Sequence, residues 1–154
     1  MYNVFKYTFL TLSLLFITKA GIAQQPDMVP GVTDHDQVYA AIEDYVLGLY
    51  EVAPERIERS VHSSLHKIGY YEYNGEAYNH VPMTYQQLYD LAAKWNKAGD
   101  QVDDNSPKEI EIYEVHDKTA SAKLTAKWGI DFMHLSKVDG RWKIMNIIWQ
   151  SDPK

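Results

Sequence analysis

Two histidines in the first half of the chain have the type and spacing that metal binding or proton transfer could use. His62 and His66 are four positions apart, which would place both rings on one side of a continuous helix. No acidic residue follows in the HExxH manner, and Ser63 and Ser64 are expected to end the helix between them. We therefore predict no metal site. His62 is a candidate general base or ligand contact, or alternatively a residue that caps a helix end.

A second candidate group lies near the C-terminal end, in a segment that alternates like a β-strand. Asp131 and His134 are three positions apart, so they lie on opposite strand faces. A carboxyl group in an apolar cavity would have a raised pKa and could act as a general acid or base. The alternative is that Asp131 pairs with a lysine such as Lys127 or with a backbone amide. Both faces carry apolar residues, so we expect helices on the inner face and a second subunit on the outer one.

Residues 120–149 predict three consecutive antiparallel strands that would position this carboxylate and imidazole. Over residues 120–128, apolar and polar side chains alternate strictly, which is the period of a strand with one buried face. Asp139 and Gly140 predict a two-residue type I′ turn, which needs positive φ at both central positions. Residues 141–149 then continue as a strand rich in Trp, Ile and Met.

Three helices are predicted before this meander. Apolar side chains recur at helical spacing over residues 38–49, which predicts an amphipathic first helix. Pro54 begins a short second helix that ends at His62, and Thr84 begins a third helix that Gly99 closes.

The remaining elements complete one α+β domain over residues 34–152. One strand is predicted over residues 67–73, between the second and third helices, and a loop is predicted over residues 76–83. Another strand, over residues 109–116, precedes the meander. The predicted order is helix, helix, strand, helix and four antiparallel strands.

The first 23 residues have the organisation of a signal peptide. Lys6 supplies a basic start, residues 9–17 form an apolar run too short to span a bilayer, and Gly21 and Ala23 are small residues at the cleavage positions. Residues 24–33 read as a flexible lead-in. We expect export to a periplasm or to the medium without stable membrane insertion. The alternative is that the segment is retained as an anchor.

Composition excludes several classes of function. The net charge is −6, and cleavage after residue 23 would leave 13 basic against 21 acidic residues, a charge of −8. Such a chain without a Lys/Arg cluster is not expected to bind nucleic acid. The absence of Cys excludes disulfides, thiolate metal sites and cysteine nucleophiles. The sequence also has neither a Gly-rich phosphate loop nor a GxSxG motif.

Four segments carry a resemblance to a known family: Arg59-Ser60-Val61-His62, Lys67-Ile68-Gly69, Met83-Thr84, and residues 131–144 (DFMHLSKVDGRWKI), which continue to Asn146 and Trp149. Together they resemble the putative lumazine-binding family of the NTF2-like superfamily, which includes ketosteroid isomerase. The resemblance covers nearly all of the chain after residue 23. It implies a cone in which three N-terminal helices pack on a strongly curved antiparallel sheet around a cavity.

The resemblance also implies which residues would meet a ligand. The helix end that carries His62 would lie near the cavity mouth. The expected ligand contacts are His62, Tyr71, Trp95, Trp128, His134, Asn146 and Trp149.

Three hypotheses for function follow. The leading one is an exported, dimeric module that binds a small molecule of unknown identity, without catalysis, cofactor or metal. The first alternative is an isomerase or dehydratase in which His62 and Asp131 are the acid–base groups and Tyr71 polarises a carbonyl. The second alternative is a structural dimerisation domain, which predicts a filled interior.

Overall fold

The structure, a computed structural model, describes residues 31–152, so the predicted signal peptide and most of the lead-in lie outside it. Three helices and six strands are formed, and within this range no helix is long and apolar enough to cross a membrane. In chain order the elements are α1 (Asp34–Tyr50), α2 (Pro54–Ser60), β1 (Val61–Tyr71), β2 (Asn79–Met83), α3 (Tyr85–Ala92), β3 (Lys108–Val115), β4 (Thr119–Ala126), β5 (Gly129–Val138) and β6 (Arg141–Gln150).

The strands form one curved, open sheet in the order β2-β1-β6-β5-β4-β3. The predicted meander is confirmed, because β4 pairs antiparallel with β5 and β5 pairs antiparallel with β6. Its second turn has φ of 49° at Asp139 and 77° at Gly140, as a type I′ turn requires. The pairing of β1 with β6 is parallel, so the sheet is mixed rather than purely antiparallel.

Helix α1 begins at a complete capping box. The Thr33 hydroxyl accepts a hydrogen bond from the backbone N–H of Asp36, and the Asp36 carboxylate accepts one from the backbone N–H of Thr33. One face of the helix is buried on the sheet. Near its end, a Cβ added to Gly48 would lie 2.9 Å from the Ile57 side chain, so the two helices α1 and α2 pack closely.

The prediction that the second helix ends at His62 is wrong. Helix α2 ends at Ser60, and the chain enters β1 at Val61, which pairs with Ile144 of β6. Local signals in this segment are weak, because Ser and His favour neither state strongly. The pairing with β6 therefore determines the conformation.

Two further predicted boundaries differ from the structure. Part of the predicted loop over residues 76–83 forms β2, which pairs antiparallel with β1 from Lys67–Met83 to Tyr71–Asn79. Pro82 lies in this edge strand, a position that proline tolerates because one side of the strand needs no partner. The third helix begins at its Thr84 capping box as predicted but ends at Ala92, and turns follow as far as Gly99.

The core lies between the helices and the concave face of the sheet. Its fully buried members come from α1, α2, α3 and the alternating inward positions of β4, β5 and β6. Residues on the convex face, including Phe132 and Ile148, remain exposed. Within residues 31–152, the helices therefore cover the concave face and leave the convex face uncovered.

Candidate functional site

A cavity of about 200 Å³ lies between the helices and the concave face of the sheet. Helix α1, helix α3 and the strands β1, β2 and β6 all contribute to its walls, which are mostly aromatic and aliphatic. The lining residues are Tyr45, Leu49, Lys67, Tyr71, Met83, Leu88, Leu91, Trp95, Trp128 and Trp149. The volume is about a third larger than the roughly 150 Å³ cavity that binds benzene in an engineered protein. It has room for one small ring system.

Lys67 is the charged side chain of the lining. It lies on β1 at an inward position, and its side chain is only 6% exposed. Its ammonium group donates a hydrogen bond to the Tyr45 hydroxyl, with Nζ and Oη 2.5 Å apart. The Asp131 carboxylate lies behind it, with Nζ and Oδ1 3.7 Å apart. The amine is therefore held between a phenol and a carboxylate at the cavity wall.

Asp131 is fully buried, on an inward position of β5. Its second oxygen, Oδ2, accepts a hydrogen bond of 3.0 Å from the indole N–H of Trp128. Among the residues that the structure describes, none donates a hydrogen bond to Oδ1. One oxygen of this carboxylate is thus held in place, and the other faces the ammonium group of Lys67.

Burial shifts the pKa of all three groups toward their neutral forms. It raises the pKa of Asp131, although the Lys67 charge and the Trp128 hydrogen bond oppose the shift. Burial also lowers the pKa of Lys67, against the attraction of Asp131. It raises the pKa of Tyr45 well above its ordinary value, and the nearby carboxylate adds to this effect. The charged pair is consequently closer in free energy to a neutral pair than it would be in water.

Another part of the wall is the indole of Trp149, which lies against the backbone of Gly69. A Cβ built on Gly69 would overlap the indole atoms Cε2, Nε1 and Cζ2, so only glycine leaves space for this ring. Lys67 Nζ lies 5.6 Å from the Trp149 ring centroid and 5.2 Å from that of Tyr45. Within residues 31–152, the buried Trp149 Nε1 has no hydrogen-bond acceptor.

Edge-to-face aromatic contacts hold the remaining wall in place. Trp128 makes such contacts with Tyr45, Tyr50 and Trp95, at centroid distances of 5.9, 5.8 and 5.5 Å. The Tyr50 hydroxyl also accepts a hydrogen bond from the backbone N–H of Lys127. These contacts fix the loop between β4 and β5, and with it the indole that binds Asp131.

Four of the seven predicted ligand contacts line this cavity: Tyr71, Trp95, Trp128 and Trp149. Asp131 and His134 lie on opposite faces of β5, as the alternation predicted, and Asp131 is the one that faces inward, behind the cavity wall. Its cationic partner is Lys67 rather than the proposed Lys127.

The other three predicted contacts lie elsewhere. His134 and Asn146 are on the convex face, where Asn146 lies between His134 and His66 at hydrogen-bond distances of 3.1 and 3.3 Å. His62 is in β1, and its Nδ1 accepts a hydrogen bond from the backbone N–H of Ser64. The structure therefore does not bring His62, Asp131 and Tyr71 together around one ligand position.

His62 and His66 both lie in β1, not on a helix. No cluster of three metal-ligating side chains occurs in the part of the chain that the structure describes.

Sequence reasoning missed Lys67 and Tyr45. A signal for Lys67 was present. Lys67 and Tyr71 are four positions apart on the predicted strand, so Lys67 lies on the same face as the proposed ligand contact Tyr71. Tyr45 was assigned to the apolar stripe of α1, and its hydroxyl carried no separate signal. It became a polar contact only through the lysine that folding places beside it.

Comparisons with known proteins agree with this architecture. A family model described as "Putative lumazine-binding" matches residues 33–150. An NTF2-like protein of unknown function from Silicibacter pomeroyi is 18% identical, with a TM-score of 0.57 over 79% of this chain and 100% of that one. One from Shewanella baltica is 16% identical, with a TM-score of 0.55 over 82% and 100%.

A third structure, an NTF2-like protein from Cytophaga hutchinsonii, is 17% identical and has a TM-score of 0.52 over 79% of this chain and all of that one. No curated protein matches the chain. The structural matches establish the fold.

Proposed function

The chain belongs to the putative lumazine-binding family and has the NTF2-like fold, and we propose that it is a small-molecule-binding module whose ligand occupies the cavity beside Lys67. The observation that carries this proposal is the composition of the cavity wall. Three indoles and two phenols line the cavity together with one lysine, and one polar atom of the wall, Trp149 Nε1, is buried without a hydrogen bond in the described chain. A planar ligand with hydrogen-bond acceptors complements such a wall.

The charges of the cavity favour an uncharged ligand. Lys67 and Asp131 neutralise each other across 3.7 Å, so little net charge remains for an anionic ligand. The ammonium group can still donate to a carbonyl oxygen, and the Trp149 indole N–H offers a second donor. A small cyclic compound with two carbonyl or imine acceptors satisfies both donors, and the pteridine-dione ring of lumazine has this pattern.

The two alternatives receive less support from the geometry. A structural dimerisation domain requires a filled interior, whereas the described residues leave a cavity of about 200 Å³. An isomerase that uses His62 and Asp131 requires both side chains at one ligand, and His62 is absent from the cavity lining.

A titration of the protein with lumazine tests the proposal. We expect saturable binding that weakens about five- to tenfold in Trp149→Phe, which keeps an aromatic ring but removes one hydrogen-bond donor. The matched control is Trp142→Phe, which removes an indole N–H bonded to Asp34 away from the cavity. Equal affinities of both variants, or no binding of lumazine by the wild type, would contradict the proposal.

A homodimer formed through the convex face is part of the same proposal. Phe132, Ile148 and Tyr70 are 51%, 46% and 42% exposed there, and Phe132 and Ile148 are directly paired on adjacent strands. Because the helices cover only the concave face, a second copy would remove these side chains from water.

Export is proposed from the first 23 residues. Expression of the full chain in a Gram-negative host should give a periplasmic protein whose intact mass corresponds to a chain that begins at Gln24. A membrane-bound product with the full-length mass would show instead that the segment is retained.

A further inference from the structure

The Lys67 ammonium group makes fewer hydrogen bonds than it has protons to donate. An ammonium group has three protons to donate. In the described part of the chain, Nζ makes one hydrogen bond, to Tyr45, and the carboxylate at 3.7 Å is beyond hydrogen-bond distance. The Lys67 side chain also forms part of the cavity lining, so the lysine lies beside the space where a ligand would bind.

We propose that Lys67 captures small aromatic aldehydes by forming a reversible imine inside the cavity. This inference rests on the proposed binding function and names a ligand class for the same site. The ring would lie between the aromatic walls, and its aldehyde carbon would be bonded to Nζ. Lys67, Tyr45 and Asp131 would then form a reactive centre within the binding cavity.

Lys67, Asp131 and the aldehyde supply and accept all the protons and electrons of this step. Asp131 takes a proton from the Lys67 ammonium group, and the lone pair of the resulting amine attacks the aldehyde carbon. The two protons left on the nitrogen move to the carbonyl oxygen, the carbon–oxygen bond breaks and one molecule of water leaves, while a carbon–nitrogen double bond forms. Asp131 returns its proton to the imine nitrogen. Oxidant, reductant and metal play no part in the step.

The surroundings of the amine suit both the reactant and the product. Burial lowers the pKa of Lys67 and raises that of Asp131, which makes the proton transfer between them less costly. The protonated imine carries its positive charge near the original Nζ position. The Asp131 carboxylate and the faces of the Tyr45 and Trp149 rings that stabilise the ammonium group would therefore also stabilise the product.

Lys143 provides an internal comparison. Burial also lowers its pKa, with a contribution from the nearby Arg141 charge. Its ammonium group, however, donates to the backbone carbonyls of Glu58 and Arg59, and it is not part of the cavity lining. A higher reactivity of Lys67 than of Lys143 would therefore reflect the position of Lys67 in the cavity wall, and not only the lowered pKa of its amine.

The test is reductive trapping near neutral pH. The full protein is incubated with benzaldehyde and sodium cyanoborohydride, and the modified lysines are identified by peptide mass spectrometry. We expect modification of Lys67 to exceed that of Lys143 by about tenfold or more, because the cavity holds the aldehyde against the amine. Lys67→Arg should lose the adduct, whereas Lys143→Arg should keep it. A four-ring aldehyde, pyrenecarboxaldehyde, should not modify Lys67.

Ligand-observed NMR with benzaldehyde separates the outcomes. Binding that is lost in Leu91→Trp, without any adduct at Lys67, would overturn the imine and leave the binding proposal intact. Equal modification of Lys67 and Lys143 would also overturn it. If neither benzaldehyde nor lumazine binds, both proposals fail.

Discussion

A buried lysine beside a buried aspartate has a desolvation cost, and it is tolerated only when each charge has a partner. The side chains of Lys67 and Asp131 are 6% and 0% exposed. Their pKa shifts both favour neutral forms, which is the expected effect of removing such groups from water. The ion pair thus stabilises the charged forms of both residues, whereas the proposed reaction of Lys67 needs its neutral amine.

Removal of the lysine should destabilise the protein in a pH-dependent way. In Lys67→Met, Asp131 loses its cation, and we expect the free energy of unfolding to fall by about 3 kcal/mol near neutral pH. Burial raises the pKa of Asp131 in the folded state above its ordinary value of 3.8. Lys67 opposes this shift in the wild type, so its removal raises the pKa of Asp131 further, and as pH falls the variant gains more stability from protonation than the wild type does. The loss should therefore shrink toward about pH 5.

Urea unfolding of the wild type and the variant at both pH values measures this effect. The double variant Lys67→Met/Asp131→Asn is the control, because it removes both charges and should recover much of the lost stability near neutral pH. A loss of equal size at both pH values would show that packing, and not the charge of Asp131, limits the variant.

Strand alternation predicted that Asp131 and His134 lie on opposite faces of β5, but it did not predict which of them faces inward or which residue pairs with Asp131. Lys67 comes from a strand separated from β5 by β6, and the parallel register of β1 on β6 has no local sequence signal. For the same reason His62 was misplaced. Its conformation depends on a distant strand pairing that overrides the weak local preference for continuing the helix.

At the scale of elements, the contact of β1 with β6 forms one wall of the cavity. Gly69 and Trp149 are directly opposed in this pair, and the indole lies where any side chain on residue 69 would be. Within the segment Lys67-Ile68-Gly69, Lys67 supplies the amine and Gly69 leaves the space that the Trp149 indole occupies.

A double-mutant cycle tests this steric dependence. Gly69→Ala should lower the free energy of unfolding by about 1–3 kcal/mol, because the new Cβ displaces the Trp149 indole. In a Trp149→Leu background the same change should cost less, with a coupling of about 0.5–3 kcal/mol. Thermal or urea unfolding of the four proteins provides the measurement. Additive effects would mean that the two residues do not restrict each other.

Element types were more predictable than element lengths. The capping box at Thr84 and the turn at Asp139 are local, and each lies where the sequence predicted it. The edge strand β2 was missed because its pairing with β1 is a tertiary interaction, and Pro82 is an unfavourable signal for a strand.

At the scale of the whole molecule, helices cover one face of the sheet, and in the described part of the chain the other face is exposed. The exposed face carries Phe132 and Ile148 in direct register, with the His66, Asn146 and His134 row beside them. A twofold dimer through this face would leave the cavity on the opposite side accessible in both subunits. Ligand binding and dimerisation should therefore be separable.

The substitution Phe132→Lys tests the dimer. It places a charge at the centre of the exposed apolar face, and we expect a monomer that still binds lumazine. Tyr39→Lys is the matched control, since Tyr39 is 42% exposed on α1 and lies on the helical side. Light scattering after size-exclusion chromatography measures the mass. A monomeric wild type, or a dimer that persists in Phe132→Lys, would contradict the proposed interface.

The indole N–H signals in a ¹⁵N-labelled sample give the most direct test of ligand binding in the cavity. Trp95, Trp128 and Trp149 line the cavity, whereas the Trp142 N–H is bonded to Asp34 outside it. On addition of lumazine, the Trp149 signal, assigned through Trp149→Phe, should move most because its N–H gains an acceptor. The Trp142 signal should stay in place. Unchanged spectra, or shifts of equal size at Trp142 and Trp149, would contradict the account.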